Sequence, residues 1–292
     1  MSTERNPSPP PEDEGDDNVV GEDHIGSTAY SKRFVLQALL NLVKEAQVDD
    51  GIEDSGPAEL EETVDADLCQ LWDMTADKEV SRFVADAESL PDIFLSVIRA
   101  TNKPRLTELL AGILANLMCD EECLQKLTPL PQIRECAFLL FNCRDLPTLV
   151  ETSRLLSLTS RSSFWTAEWE ASFDDFGAYD DVIFVLSSST SSELLLQAAK
   201  LIFNLTQVKE SRMSEKAVDN LSDFVGCVCD ALTQCFNDQS FQAAAYLLMS
   251  LSVLSDHKRC TFPESDSSID RLFKCIESAI DGVLNVEALE WT

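Results

Sequence analysis

The sequence predicts an all-α fold built by repetition, and three observations predict it. The first is the stretch 104–118, PRLTELLAGILANLM. Its Leu106, Leu109, Leu110, Ile113, Leu114 and Leu117 fall at steps of three and four, one face of an α-helix. The second is recurrence. The stretch returns as TLVETSRLLSL, LLLQAAKLIFNL and QAAAYLLMSL, so Leu117, Leu158, Leu205 and Leu251 follow one another at intervals of 41, 47 and 46 residues. Three residues before each stands Leu114, Leu155, Ile202 or Leu248; six before stands the small Ala111, Thr152, Ala199 or Ala245. The third is that two further helical stretches precede each copy. A helical period of about 40 to 47 marks armadillo or HEAT arrays, and three helices per unit favour armadillo. The expected fold is therefore an armadillo-type α-solenoid of about four three-helix repeats, with an N-terminal helix and a disordered acidic N-terminal tail.

Residues 1–26 form that tail. NPSPPPEDEGDD joins a proline run to an acidic run and lacks the apolar residues needed to fold. Residues 27–47 form the N-terminal helix, with Phe34, Val35, Leu39, Leu42 and Val43 on one face and Ser27 or Ser31 as its cap. An acidic linker, 48–59, carries the breakers Gly51, Gly56 and Pro57. The repeat domain then runs from 60 to 292.

Its opening helix places Leu60, Val64, Leu68, Leu71 and Trp72 together. The first repeat reads as helices over 78–87, 91–100 and 104–118. Asp77 caps the first of these, and prolines open the other two, where a missing N–H loses no bond. Gly112 costs about 1 kcal/mol of helix propensity, so it predicts close approach of a neighbouring helix. The second repeat uses Pro131 and Pro147 in the same way. In the third, Trp165, Trp169, Phe173 and Phe176 follow steps of four, four and three. They predict a core stripe, with a partner hot spot as the alternative. VIFVLSSST has strand composition, but its place between two helices predicts a buried middle helix. Ser191 or Ser192 caps the third helix of that unit. A further amphipathic helix, IDRLFKCIESAIDGVL, follows the fourth unit.

The chain has 292 residues, 22 basic and 52 acidic, for a net charge of −30. Such a field repels nucleic acid and anionic lipid, so neither is an expected partner, and a basic or extended protein segment is. No apolar run of about 18 residues predicts a membrane span, and no secretory signal is visible. The ten cysteines therefore read as reduced thiols. With only His24 and His257 to join them, no spacing suggests a metal site. The chain lacks a phosphate-binding glycine loop, a nucleophile elbow and a calcium loop. The expectation is a protein without catalytic residues, cofactor or metal.

The blocks NPSPPP, IGSTAYSK, LPDIF, PRLTELLAGILANLMC, PTLVETSRLL and SSST resemble the serum amyloid A-like protein family, also called synoviocyte proliferation-associated in collagen-induced arthritis protein. These blocks spread over 6–190; beyond about 206 the match is weaker. The resemblance implies an armadillo-type fold, a nuclear location that can extend to the cytoplasm, and a part in promoting cell proliferation. It implies no catalytic residue or cofactor. The familiar vertebrate members continue well past the end of this chain.

The function expected from these readings is a non-enzymatic interaction scaffold of the nucleus or cytosol. The alternative is a chaperone regulator, a nucleotide-exchange factor for the seventy-kilodalton heat-shock chaperone. Nucleotide release from that chaperone separates the two. Likeness to armadillo repeats also implies that third helices line the binding face, with an asparagine near each helix end clamping a peptide unit through its amide. Asn116 and Asn204 hold that position, and Ser157 and Ser250 hold it in the other two units. The competing reading is that each side chain bonds a carbonyl at its own helix end.

Overall fold

A computed structural model describes residues 23–45, 57–161, 163–208, 211–256 and 270–277. Among them there is no strand, only an isolated bridge between His24 and Ser31. VIFVLSSST is helical through Ser188, as its place in the repeat predicts.

The helices fall into units as the period requires. A first pair, α1 (Lys32–Glu45) and α2 (Glu62–Met74), precedes four triplets. These are α3 (Lys78–Ala85), α4 (Leu90–Ala100) and α5 (Pro104–Leu117); α6 (Glu121–Leu127), α7 (Pro131–Phe141) and α8 (Leu146–Ser160); α9 (Ala167–Asp175), α10 (Ala178–Ser188) and α11 (Ser192–Gln207); and α12 (Arg212–Asp219), α13 (Leu221–Asn237) and α14 (Phe241–Ser255). Residues 270–277 are helical and pack on α13, where Arg271 pairs with Asp230.

Two layers result. Second helices stack in the order α1, α4, α7, α10, α13, and third helices in the order α2, α5, α8, α11, α14. The N-terminal helix is therefore a second-layer helix whose partner in the third layer is α2. Together they are a half-unit capping the array, with the acidic segment between them.

Local sequence sets the helix starts. Asp77 accepts from the backbone N–H of Glu79 and Val80, Asp120 from Glu122 and Cys123, Asp145 from Thr148, and Ser191 from Leu194. Each satisfies N–H groups that a helix cannot pair internally. Ser31 caps α1 by accepting from Phe34 N. Ser27 does something else: its N–H and hydroxyl both bond Glu79 on α3. Gly26 sits in the left-handed region (φ 54°), where a Cβ would overlap that carboxylate. The fold consequently starts earlier than expected. Ile25 is buried, and Asp23 accepts from Ser31 Oγ and Arg33 N, so 23–26 belong to the folded body rather than to the tail. Residues 1–22 and 46–56 lie outside the described residues.

The repeat period reappears as the sequence separation of bonds between units. Arg82 forms a two-point pair with Asp120, Arg105 pairs with Asp65, and Lys126 with Asp86. Trp169 Nε1 donates to Thr128 O, 41 residues back. Glu170, buried in α9, accepts from Arg212 N and Trp165 Nε1, and so ties the third unit to the fourth. Burial pushes its carboxyl up, while those two donors pull it down. A buried acceptor without them would cost about 1–3 kcal/mol.

Apolar stripes supply the rest. Leu114, Leu155 and Ile202 are fully buried. Leu248 is not equivalent: it is half-buried, Ala245 is exposed, and Leu247 takes the buried place. Among the described residues no third helix follows α14, so there one side of it lacks a neighbour. The aromatic stripe of the third unit is core. Trp169 and Phe173 are buried, and Phe138 of α7 stacks on Phe176 at 5.6 Å.

Gly112 does permit a close approach. A Cβ there would overlap the Trp72 indole of α2. Alanine gains about 0.5–1 kcal/mol of helix propensity, but overpacking costs about 1–3 kcal/mol. Gly112→Ala is therefore expected to lower the Tm. A raised Tm would show that Trp72 swings clear.

Candidate functional site

The third-helix layer was expected to carry the site, and the structure puts its polar ends to a different use. Asn116 Nδ2 donates to Trp72 O at 3.0 Å and to Thr75 Oγ1 at 3.3 Å. Its Oδ1 accepts from both terminal nitrogens of Arg154, each at 3.1 Å. Asn204 Nδ2 donates to Ser157 O at 2.9 Å and to Ser157 Oγ at 3.0 Å. Trp72 and Ser157 lie in the last turns of α2 and α8, where carbonyls lack a backbone N–H partner within the helix and here also accept from the Thr75 and Ser160 hydroxyls. Each asparagine thus caps the preceding third helix, not its own helix end. Ser157 is the acceptor for Asn204. Ser250 is buried, donates to Tyr246 O in its own helix and stands apart from the others.

Asn116 therefore has no free hydrogen-bonding group, whereas the Oδ1 of Asn204 has no donor among the described residues. Asn116→Ala would remove one of the two donors to the Trp72 carbonyl and the acceptor of both terminal nitrogens of Arg154. It is expected to lower stability by about 1–3 kcal/mol, read from a urea titration. Asn204→Ala, losing only the Ser157 bonds, should cost less. Equal costs would mean that Arg154 contributes nothing to the Asn116 cap.

Beside Asn204 the third-helix face opens into a trough. One cavity, about 520 Å³, spans α8, α11 and α14; a second, about 480 Å³, adjoins it through Arg161 and Asn204 and reaches Trp165. Three stripes line the larger one. Arg154, Ser157 and Arg161 run along the end of α8, Gln197, Lys200 and Asn204 along α11, and Gln242 and Tyr246 along α14. All follow the three- and four-residue steps of one helix face. Phe203 and Tyr246, with ring centroids 5.6 Å apart, form an apolar wall. Arg154 is partly neutralised by Glu151, whereas Lys200 and Arg161 have no partner among the described residues. The α11 stripe was readable in the sequence. Its meeting with Arg161 and Tyr246 required the stacking order of the layers.

No group of three or more His, Cys, Asp or Glu among the described residues is arranged to hold a metal. The nine described cysteines are free. Burial pushes the Cys123, Cys136 and Cys229 thiols up to about 12, which keeps them protonated and unreactive near neutral pH.

Fold and face together define an α-solenoid of the helical-repeat class. The SAAL1 C-terminal domain family matches residues 178–276, from α10 to the last described helical stretch. Protein saal1 of Danio rerio is 31% identical over 263 residues, covering 86% of this chain and 56% of that protein. Protein SAAL1 of Homo sapiens is 33% identical over 202 residues, covering 68% and 42% respectively. The chain belongs to this SAAL1 family and spans about half the length of the curated relatives it matches. The resemblance expected to fade beyond 206 does not, because the family match runs to 276. A computationally designed armadillo repeat protein overlaps 82% of this chain and 98% of its own at 13% identity, with a TM-score of 0.48. That distant likeness carries nothing about binding.

Proposed function

We propose that the protein is a non-enzymatic interaction scaffold that holds an extended protein segment on its third-helix face. The trough across α8, α11 and α14 is the observation that carries this reading. It is open, lined by side chains with unused polar groups, and bounded by an aromatic wall. A bound strand there can pair with the Gln197 and Gln242 amides and with Asn204 Oδ1, each able to meet a backbone group. Nuclear location and a role in promoting proliferation are proposed on family membership; microscopy of a fluorescent fusion and division rates after depletion test them.

The experiment is photo-crosslinking in cells from a reactive residue placed at Gln197 or Gln242, with Phe184 on α10 as the control position. Protein adducts are expected from the first two and not from the third. Adducts from Phe184 alone would move the binding surface to the second-helix layer and end this reading.

A further inference from the structure

We infer that the trough selects an acidic segment, opposite in sign to the partner that the net charge suggests. This rests on the scaffold reading and assigns its partner chemistry. The whole chain carries 52 acidic against 22 basic residues, yet no Asp or Glu lines either cavity. Three cations do: Arg154, Arg161 and Lys200. Two of them lack an ion-pair partner among the described residues, in a protein where most other described cations have found a carboxylate. An unpaired Lys and Arg on adjacent helices, kept clear of the abundant acid, form a receptor for anionic groups.

Range decides between the global and the local charge. At physiological ionic strength screening sets in over about 8 Å, so a ligand seated in the trough responds to Lys200 and Arg161, with the Glu151-paired Arg154 contributing less. The distant carboxylates act mainly on approach. They oppose a long polyanion far more than a short segment with two or three charges, which disfavours nucleic acid.

The uncharged lining favours a peptide over a free anion. Asn204 Oδ1 lacks a donor among the described residues, which a backbone N–H supplies and a carboxylate or phosphate does not. The Phe203 and Tyr246 wall accepts an apolar or aromatic side chain. The fitting ligand is an extended partner segment with carboxylates flanking an apolar residue, its acids directed to Lys200 and Arg161.

The test is selection of a random displayed peptide library on the immobilised full chain, repeated on the Arg161→Glu, Lys200→Glu double variant. Neither side chain has an ion-pair partner among the described residues, Arg161 is exposed and Lys200 is partly exposed, so the melting curve should not move. Lys200→Gln is a milder second variant. Enriched peptides are expected to be rich in Asp and Glu, and a synthetic one should bind the double variant about tenfold more weakly or worse. Enrichment of Lys- and Arg-rich peptides that Tyr246→Ala abolishes would overturn the acidic assignment and leave the scaffold reading standing. Absence of any trough-dependent peptide would overturn both. Two further results also overturn the inference. One is a single-stranded oligonucleotide that binds with the same residue dependence where acidic peptides do not. The other is a synthetic peptide of residues 11–22 that outcompetes every selected sequence, which would make the occupant the chain's own acidic segment.

Discussion

Trp169→Ala is expected to lower the free energy of unfolding by about 3–5 kcal/mol, the largest effect of any single substitution considered. The side chain is 1% exposed, stacks on Trp165 at 5.0 Å and lies 5.8 Å from Phe138 of the preceding unit. Its indole N–H meets Thr128 O at 3.1 Å. Truncation therefore opens a cavity between two units and unpairs a buried carbonyl at the same time. Trp169→Phe separates the two effects: it keeps most of the ring volume and loses the hydrogen bond, so about 1–3 kcal/mol should remain. The midpoint and slope of urea unfolding measure both variants. A loss below about 1 kcal/mol for alanine would return this stripe to the surface role that tryptophan density also suggests.

Leu114→Ala is expected to cost about 2–5 kcal/mol. Leu114 is fully buried on α5, a helix that packs against α2 on one side and α8 on the other. Its counterpart in the fourth unit, Leu248, is half-buried on α14, so Leu248→Ala should cost about 1 kcal/mol. The pair makes a sharp comparison, because the sequence pattern places both leucines three residues before a repeat-ending leucine. Equal losses would mean that α14 is covered on both sides. The ratio of the two thus reports how many neighbours each third helix has.

What the sequence determined by itself is the local level and the period. The three-and-four spacing in 104–118, the prolines at 91, 104, 131 and 147, and Asp77 before Lys78 all act within one or two turns of backbone. Such signals survive without knowledge of the rest of the chain, so helix order, starts and the buried identity of Leu114, Leu155 and Ile202 were legible. Recurrence at 41, 47 and 46 residues then implied stacking, because one helical triplet cannot bury its own apolar face.

Tertiary structure alone decided how the polar groups are used. Asn116 and Asn204 looked like a ladder open to a partner, yet their amides bond Trp72 and Ser157, 44 and 47 residues away. Ile25 looked like the end of a tail, yet Ser27 beside it is held by Glu79, 52 residues on. Lys200 and Arg161 looked like two cations in an acidic chain, and only the order α8, α11, α14 brings them to one trough. Periodicity shows which face of a helix turns inward, because burial of apolar area depends on the face as a whole. A hydrogen bond or an ion pair requires two particular atoms within about 3 Å of each other, and across a repeat boundary that distance is set by the stacking of helices, not by the spacing of residues along any one of them.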